Sequence, residues 1–160
     1  MAKIIIIYDS KTGNTENMAL EVARGAEQVS GVEVTVKKAE QAKLEDLLAA
    51  DGIIMGSPTY YGGMSAKLKT LFDSSVKIHG KLTGKVGAAF TSSGSTSTGS
   101  ETTLLSILQA MLVHGMIVQG RADEKNYGAA AVGSPRKGAL RYCEDLGRNT
   151  ATLVNKLCPP

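Results

Sequence analysis

The sequence predicts an α/β fold of three layers, in which helices cover both faces of a doubly wound, five-stranded parallel sheet with the strand order 2-1-3-4-5. Apolar, β-branched segments alternate along the chain with segments of helical periodicity, as they do in folds of this class. The first apolar segment has four consecutive isoleucines at residues 4–7, which is typical of a strand buried on both faces. The chain has 160 residues, and we predict a single domain spanning residues 1–160.

The predicted elements alternate from one end of the chain to the other. Strands are predicted at residues 3–8, 33–38, 52–57, 85–91 and 116–119. Helices are predicted at residues 15–29, 43–50, 64–76, 101–114 and 136–157. The first helix has Met18, Val22 and Ala26 on one face, and the fourth follows Ser100, a residue that caps helices well. Right-handed crossovers between parallel strands then distribute the helices over both faces of the sheet.

Composition and charge argue against several classes of protein. The formal net charge is +3, Trp is absent and aromatic residues make up 4% of the chain, so we expect no nucleic-acid partner. No apolar run approaches the roughly 20 residues that span a membrane. The first strand begins next to Met1 and leaves no room for a signal peptide, and Cys143 and Cys158 are expected to be reduced thiols. We therefore expect a cytoplasmic protein, and no cluster with the spacing of metal ligands is present.

A hydroxyl-rich turn directly follows the first strand. It consists of Ser10, Lys11, Thr12, Gly13, Asn14 and Thr15, where the first helix begins. The first N–H groups of a helix have no partners inside the helix and lie at the positive end of its dipole, so this turn predicts an anion site. We expect its backbone N–H groups, with the hydroxyls of Ser10, Thr12 and Thr15, to hold a phosphate, and the Lys11 side chain to point outward.

Two further loops follow the third and fourth strands and open on the same edge of the sheet, where folds of this class bind ligands. The first contains Pro58, Thr59, Tyr60, Tyr61, Gly62 and Gly63, and the second contains Thr91, Ser92, Ser93, Gly94, Ser95, Thr96 and Ser97. Aromatic faces and glycines suit a flat ring, and small hydroxyl residues donate to its heteroatoms. Taken alone, the first is also typical of a glycine turn with two surface tyrosines, and the second of a flexible surface loop. Together with the turn at residues 10–15, they predict a mononucleotide site.

The pattern Ser-x-Thr-Gly-x-Thr at residues 10–15 resembles the phosphate loop of the flavodoxin-like FMN-binding superfamily. Further similarity is to the tryptophan-repressor-binding-protein branch, whose members are NAD(P)H:quinone oxidoreductases. It is carried by residues 57–62, 64–66, 99–104, 114–116 and 127–129. The resemblance implies FMN as the cofactor, with its phosphate on the first loop and Tyr60 or Tyr61 stacked on the isoalloxazine ring.

Two other residue roles follow from the resemblance. A peptide at Gly62 or Gly63 is expected to reorient and accept a hydrogen bond from the reduced ring, because glycine permits that change. His114 matches a ring-proximal histidine of the quinone reductase branch. The alternative for His114 is a histidine at a helix C-terminus, where the helix dipole favours it.

The chain departs from that branch in two respects. The segments between the second and third strands and after the fifth are abbreviated, and Thr12 replaces an aromatic residue associated with the nicotinamide site. We therefore predict an electron carrier that takes electrons from a reductase and passes them to a redox partner protein. The alternative is an FMN-dependent NAD(P)H:quinone oxidoreductase, with NAD(P)H and a quinone as its partners. The sequence makes no prediction of oligomeric state.

Overall fold

The computed structural model describes residues 1–158 and has the predicted architecture. The strands are β1 (Ala2–Tyr8), β2 (Val32–Lys38), β3 (Gly52–Pro58), β4 (Val86–Ser93), β5 (Ile117–Val118) and β6 (Ala129–Val132). The helices are α1 (Asn14–Glu27), α2 (Leu44–Ala49), α3 (Ala66–Ser74), α4 (Ser100–Val113) and α5 (Lys137–Leu157), with short 3₁₀ turns at Ala39–Gln41 and Ser75–Ile78. The strands pair in parallel in the order β2-β1-β3-β4-β5, which confirms the predicted topology.

The fifth position of the sheet differs from the prediction. The predicted strand at residues 116–119 is present as β5, which is shorter than predicted and pairs only with the start of β4. A further strand that was not predicted, β6, pairs with the end of β4. Residues 119–128 leave the sheet between the two strands. The sequence of β6 is Ala-Ala-Ala-Val, and alanine is depleted from strands, so the apolar pattern did not predict it.

The isoleucines of β1 are buried on both faces of the sheet, as predicted. Ile4 and Ile6 belong to the core that α1 and α5 cover, whereas Ile5 and Ile7 belong to the core that α2, α3 and α4 cover. All four side chains are at most 4% exposed. Because the strands are parallel, all of them end at one side of the sheet. We call that side the carboxyl edge and the opposite side the amino edge.

The helices and the cysteines bear on two predictions, that no segment is apolar enough to span a membrane and that both thiols are reduced. None of the helices within residues 1–158 is both long and apolar enough to cross a membrane. Cys143 is buried in α5, Cys158 is exposed at the end of that helix, and both are free thiols. Burial raises the pKa of the Cys143 thiol to about 12, so this group is protonated at neutral pH.

Candidate functional site

Three loops meet at the carboxyl edge and enclose a cleft of about 340 Å³. The first loop joins β1 to α1, the second joins β3 to α3, and the third joins β4 to α4. The volume lies in the range of small-molecule and cofactor sites. The residues that line it come from all three loops and from the end of β6: Lys11, Thr12, Asn14, Thr15, Pro58, Thr59, Tyr60, Ser92, Ser93, Gly94 and Gly133.

The first loop has backbone donors available for an anion. Gly13 precedes α1 in the left-handed conformation, with φ of 96°, and its N–H donates to Ser10 Oγ at 3.1 Å. Ser10 therefore holds the turn in shape. The other N–H groups of residues 11–15 donate to no atom within the described part of the chain. A phosphate placed here would meet unpaired donors at the positive end of α1.

A buried hydrogen bond joins the first loop to the third. Thr15 is 1% exposed, and its Oγ1 lies 2.8 Å from Ser92 Oγ at the end of β4. The pair fixes the first turn of α1 relative to the sheet. Because a hydroxyl can both donate and accept, each residue keeps hydrogen-bonding capacity for a ligand in the cleft that both of them line.

A side-chain hydrogen bond joins the end of β1 to the start of α1. The Tyr8 hydroxyl donates to Glu16 Oε1 at 3.0 Å, across the turn. Burial, together with the neighbouring Glu16 carboxylate, raises the pKa of Tyr8 to about 12. The hydroxyl thus keeps its proton, and the hydrogen bond, throughout the physiological pH range.

The second loop contains a tight hairpin turn from Tyr60 to Gly63. The two residues exchange backbone hydrogen bonds of 3.1 and 3.0 Å. Between them, Tyr61 and Gly62 have φ of 49° and 73°, as in a type I′ turn. Tyr60 lines the cleft, whereas the Tyr61 side chain is fully exposed at the tip of the hairpin and is not part of the lining. Of the two tyrosines, Tyr60 is the one in position to contact a ring.

The hairpin rests on the first turns of α4. Gly99, with φ of 108°, lies so close to the hairpin that a Cβ atom there would be 2.5 Å from the Cα of Gly62. The N–H of Met64 donates to Ser106 Oγ at 3.2 Å. Helix α4 therefore supports the hairpin on the side away from the cleft, and Gly99 is required for that contact.

The third loop divides into three parts. Thr91 lies fully buried in β4, where its hydroxyl donates to the carbonyl of Ser57 at 2.7 Å. It also lies 2.9 Å from Thr59 Oγ1, so Thr91 supports the second loop and does not line the cleft. Residues 92–94 line the cleft, whereas residues 95–97 are exposed and lie outside its lining.

His114 lies at the amino edge, far from the cleft. Helix α4 starts beside the hairpin and runs back across the sheet for 14 residues, or about 20 Å, to His114 at its C-terminal end. The next residue, Gly115, accepts a hydrogen bond from the N–H of Gly84, which precedes β4. Within one chain, His114 is therefore too distant to contact a ring in the cleft. Its position matches the alternative prediction, a histidine at a helix C-terminus.

One residue of the cleft was missing from the sequence prediction. Gly133, at the end of β6, lines the cleft, and its N–H donates to the carbonyl of Ser93 at 2.7 Å. Since β6 was not predicted, the loop that follows it was not included in the site. The turn signal Gly-Ser-Pro at residues 133–135 marks the end of this strand.

Comparison with known proteins gives consistent results. The family described as NADPH-dependent FMN reductase matches residues 36–128. The chain is 40% identical to a flavodoxin of Aquifex aeolicus over 96% of its own length and 88% of that protein. It is 36% identical to an NAD(P)H dehydrogenase (quinone) of Archaeoglobus fulgidus, over 99% of this chain and 100% of the relative. A solved flavodoxin, WrbA-like protein from Agrobacterium tumefaciens is 28% identical and has a TM-score of 0.82, with 98% of this chain and 99% of that chain covered.

These comparisons agree with the geometry of the cleft. Unpaired N–H donors at a helix N-terminus suit the phosphate of FMN, and a tyrosine beside them suits its ring. The topology, the relatives and the solved structures all confirm the resemblance found in the sequence. The protein is an FMN-binding redox protein that acts through its flavin, and the chain belongs to the flavodoxin-like FMN-binding superfamily.

Proposed function

We propose that the protein is an electron carrier, which receives electrons from a reductase and passes them to a partner protein. The observation that carries this proposal is the exposure of the hairpin beside the cleft. Tyr60 is 43% exposed although it lines the cleft, and Tyr61 is fully exposed at the tip. A carrier needs the edge of its ring at a surface that another protein can approach, and an open cleft beside an exposed hairpin meets that need.

The loops suggest how FMN is held. The N–H groups of residues 11–15 and the hydroxyl of Thr15 would bind the phosphate, so that neutral dipoles compensate its charge. Thr59 and Tyr60 would lie on one side of the ring, with residues 93–94 on the other. FMN supplies the electron chemistry when bound, and the protein supplies its position and electrostatic environment.

The alignments with two relatives also support a carrier. The alignment with the quinone dehydrogenase of Archaeoglobus fulgidus extends over 192 residues, whereas this chain has 160, so at least 32 residues of that relative have no counterpart here. The alignment with the Aquifex aeolicus flavodoxin extends over 162 residues. Over 88% of its length, the relative named flavodoxin thus aligns with this chain without long insertions. Compared with the quinone dehydrogenase, this chain therefore has fewer residues with which to enclose a binding site for two successive substrates.

The hairpin geometry indicates which peptide could reorient when the ring is reduced. Turning over the peptide between Tyr61 and Gly62 would convert the type I′ turn into type II′, which favours glycine at its first central position. Tyr61 occupies that position. The peptide between Gly62 and Gly63 has glycine on both sides, and we assign the reorientation to it. Reorienting this peptide would break the hydrogen bond from the Gly63 N–H to the Tyr60 carbonyl.

The second candidate function is an FMN-dependent NAD(P)H:quinone oxidoreductase. The similarity to the Archaeoglobus fulgidus quinone dehydrogenase extends over the whole of both chains and favours it. Under this function, a nicotinamide and then a quinone would occupy the space beside Tyr60. Both functions suit a reducing compartment such as the cytoplasm, because the exposed Cys158 is a free thiol.

Anaerobic mixing of the FMN-loaded protein with NADPH or NADH separates the two functions. For a carrier, we expect the flavin absorbance to stay unchanged for minutes and to bleach once a flavodoxin reductase is added. Rapid bleaching by NADPH alone, followed by reoxidation with a quinone over many turnovers, would establish the oxidoreductase instead. A Tyr61→Ala variant adds a test of the docking surface, since a carrier should lose rate with the reductase but keep its affinity for FMN.

A further inference from the structure

The two histidines of the chain meet at the amino edge, although 34 residues separate them in the sequence. His79 follows the 3₁₀ turn Ser75–Ile78 and is exposed, while His114 ends α4 and is 6% exposed. Their ring centres are 5.8 Å apart and the rings are tilted by 43°. The two rings are therefore neighbours at this edge, one buried and one exposed.

Hydrogen bonding fixes the proton on the ring of His114. The Ser75 hydroxyl gives its single hydrogen to the carbonyl of Phe72, at 2.6 Å. Ser75 Oγ is also 2.7 Å from His114 Nε2, and having already donated, it must accept there. Nε2 therefore carries the hydrogen, and Nδ1 carries a lone pair. Within the described residues, Nδ1 is buried and has no hydrogen-bond partner.

We propose that His79 and His114 bind a transition-metal ion of the Zn²⁺, Ni²⁺ or Cu²⁺ class, with Nδ1 of His114 and a ring nitrogen of His79 as its two protein ligands. Imidazole nitrogen is a preferred ligand of these ions. With Zn–N distances of about 2.0 Å, two imidazoles on one tetrahedral ion have ring centres roughly 5 to 6 Å apart. The observed separation of the ring centres lies in this range.

The surroundings of His114 match those of metal-binding histidines. Such a histidine usually donates its other ring N–H to a fixed acceptor, and Ser75 Oγ is that acceptor here. Burial and the neighbouring His79 lower the pKa of His114, so the ring is neutral and its lone pair is available at neutral pH. The metal would compensate a buried acceptor that otherwise has no partner.

The site has two protein ligands and open positions. Within residues 1–158, no group of three His, Cys, Asp or Glu side chains is placed to hold a metal ion, so water would complete the coordination. Lys77 and Lys81, on the same loop as His79, are exposed, and their charge would weaken the binding of a cation. We therefore expect an exchangeable ion that clamps the loop after α3 to the end of α4.

The test uses the untagged, FMN-loaded protein with a Cys158→Ser substitution, which removes the exposed thiol as a competing ligand. Because the chain has two histidines, its NMR spectrum contains two sets of imidazole C–H signals. Titration with Zn²⁺ should shift both sets together with a stoichiometry of one ion per chain, and Mg²⁺ should shift neither. Saturating Zn²⁺ should also raise Tm by about 5 °C or more. The flavin absorbance should not change, because the site lies about 20 Å from the cleft.

Single variants assign the ligands. His79→Gln alters an exposed side chain, so it should leave folding intact and weaken Zn²⁺ binding at least tenfold. His114→Gln should also weaken Zn²⁺ binding at least tenfold. Ser75→Ala should weaken Zn²⁺ binding without abolishing it. The proposal is overturned if Zn²⁺ shifts one histidine or neither, or if His79→Gln binds Zn²⁺ as tightly as the parent protein.

Discussion

The two edges of the sheet present opposite chemistry. The carboxyl edge collects unpaired N–H groups, hydroxyls and glycine turns, and the first turns of α1 and α4 lie there. The amino edge holds the C-terminal end of α4 and the two histidines. Helix N-termini favour anions, and helix C-termini favour cations. A parallel sheet that alternates with helices thus separates the two kinds of site, and we expect the anionic cofactor at the carboxyl edge.

The largest expected effect compares a glycine at each edge. Gly99 and Gly80 both have positive φ, but a Cβ at Gly99 would clash with Gly62, whereas a Cβ at Gly80 meets nothing within 4 Å. We expect Gly99→Ala to lower the free energy of unfolding by about 2 to 4 kcal/mol. Gly80→Ala should cost about 1 kcal/mol, the conformational cost alone. Urea unfolding measures both, and equal costs would contradict the contact between hairpin and α4.

The second largest expected effect is on the binding of the FMN phosphate. Thr15→Val removes the hydroxyl that joins the first loop to Ser92. We expect the Kd for FMN to rise about tenfold, since a hydrogen bond to a charged group is lost. Riboflavin, which lacks the phosphate, should bind as before. Ser75→Ala, at the amino edge, is the matched control and should leave both affinities unchanged in fluorescence titrations of the apoprotein. If Thr15→Val weakened riboflavin binding as much as FMN binding, Thr15 would act on the ring and not on the phosphate.

A smaller effect depends on pH. The pKa of Tyr8 is raised to about 12 in the folded protein, against 10.0 for the free side chain. The folded state therefore holds this proton more tightly, so the stability that it contributes is present below pH 10 and is lost as the pH rises towards 12. Tyr8→Phe should cost about 1 kcal/mol at pH 7, because Glu16 loses its donor.

The same variant should also flatten the fall in stability above pH 10. Urea unfolding at pH 7, 10 and 11 measures this, with Tyr61→Phe as the control at an exposed tyrosine. If the parent protein and Tyr8→Phe lose stability equally above pH 10, the environment of Tyr8 does not retain the phenol proton as described.

The smallest expected effect separates the two tyrosines of the hairpin. Tyr60 lines the cleft and Tyr61 does not. Tyr60→Ala should raise the Kd for FMN about threefold and make the bound flavin more fluorescent, because an aromatic contact is lost. Tyr61→Ala should change neither quantity. Equal effects of the two substitutions would show that the hairpin rearranges around the ring.

The sequence was most informative where one strand or one loop determines the structure. Four consecutive isoleucines predicted a strand buried on both faces, and the hydroxyl-rich turn after them predicted where the first helix begins. These are local features, so a pattern of residue types is enough to predict them. The three loops could be assigned to one edge because parallel strands share their direction.

Features that depend on distant contacts were not predictable in this way. The strand β6 is held by its pairing with β4, and its alanines give little indication of a strand. The roles of Thr91 and Thr15 follow from partners in other loops. His79 and His114 have no spacing that indicates a joint site, because the length of α4 and the turn after α3 bring them together.

The central claim is that FMN binds at the carboxyl edge with its phosphate on the first loop. The most direct test is an ¹H–¹⁵N NMR titration of the apoprotein with FMN. We expect the largest changes at the amides of residues 11–15, 59–60 and 92–94, while the amides of His79 and His114 stay in place. Unchanged amides at residues 11–15, or changes centred on the amino edge, would contradict the claim.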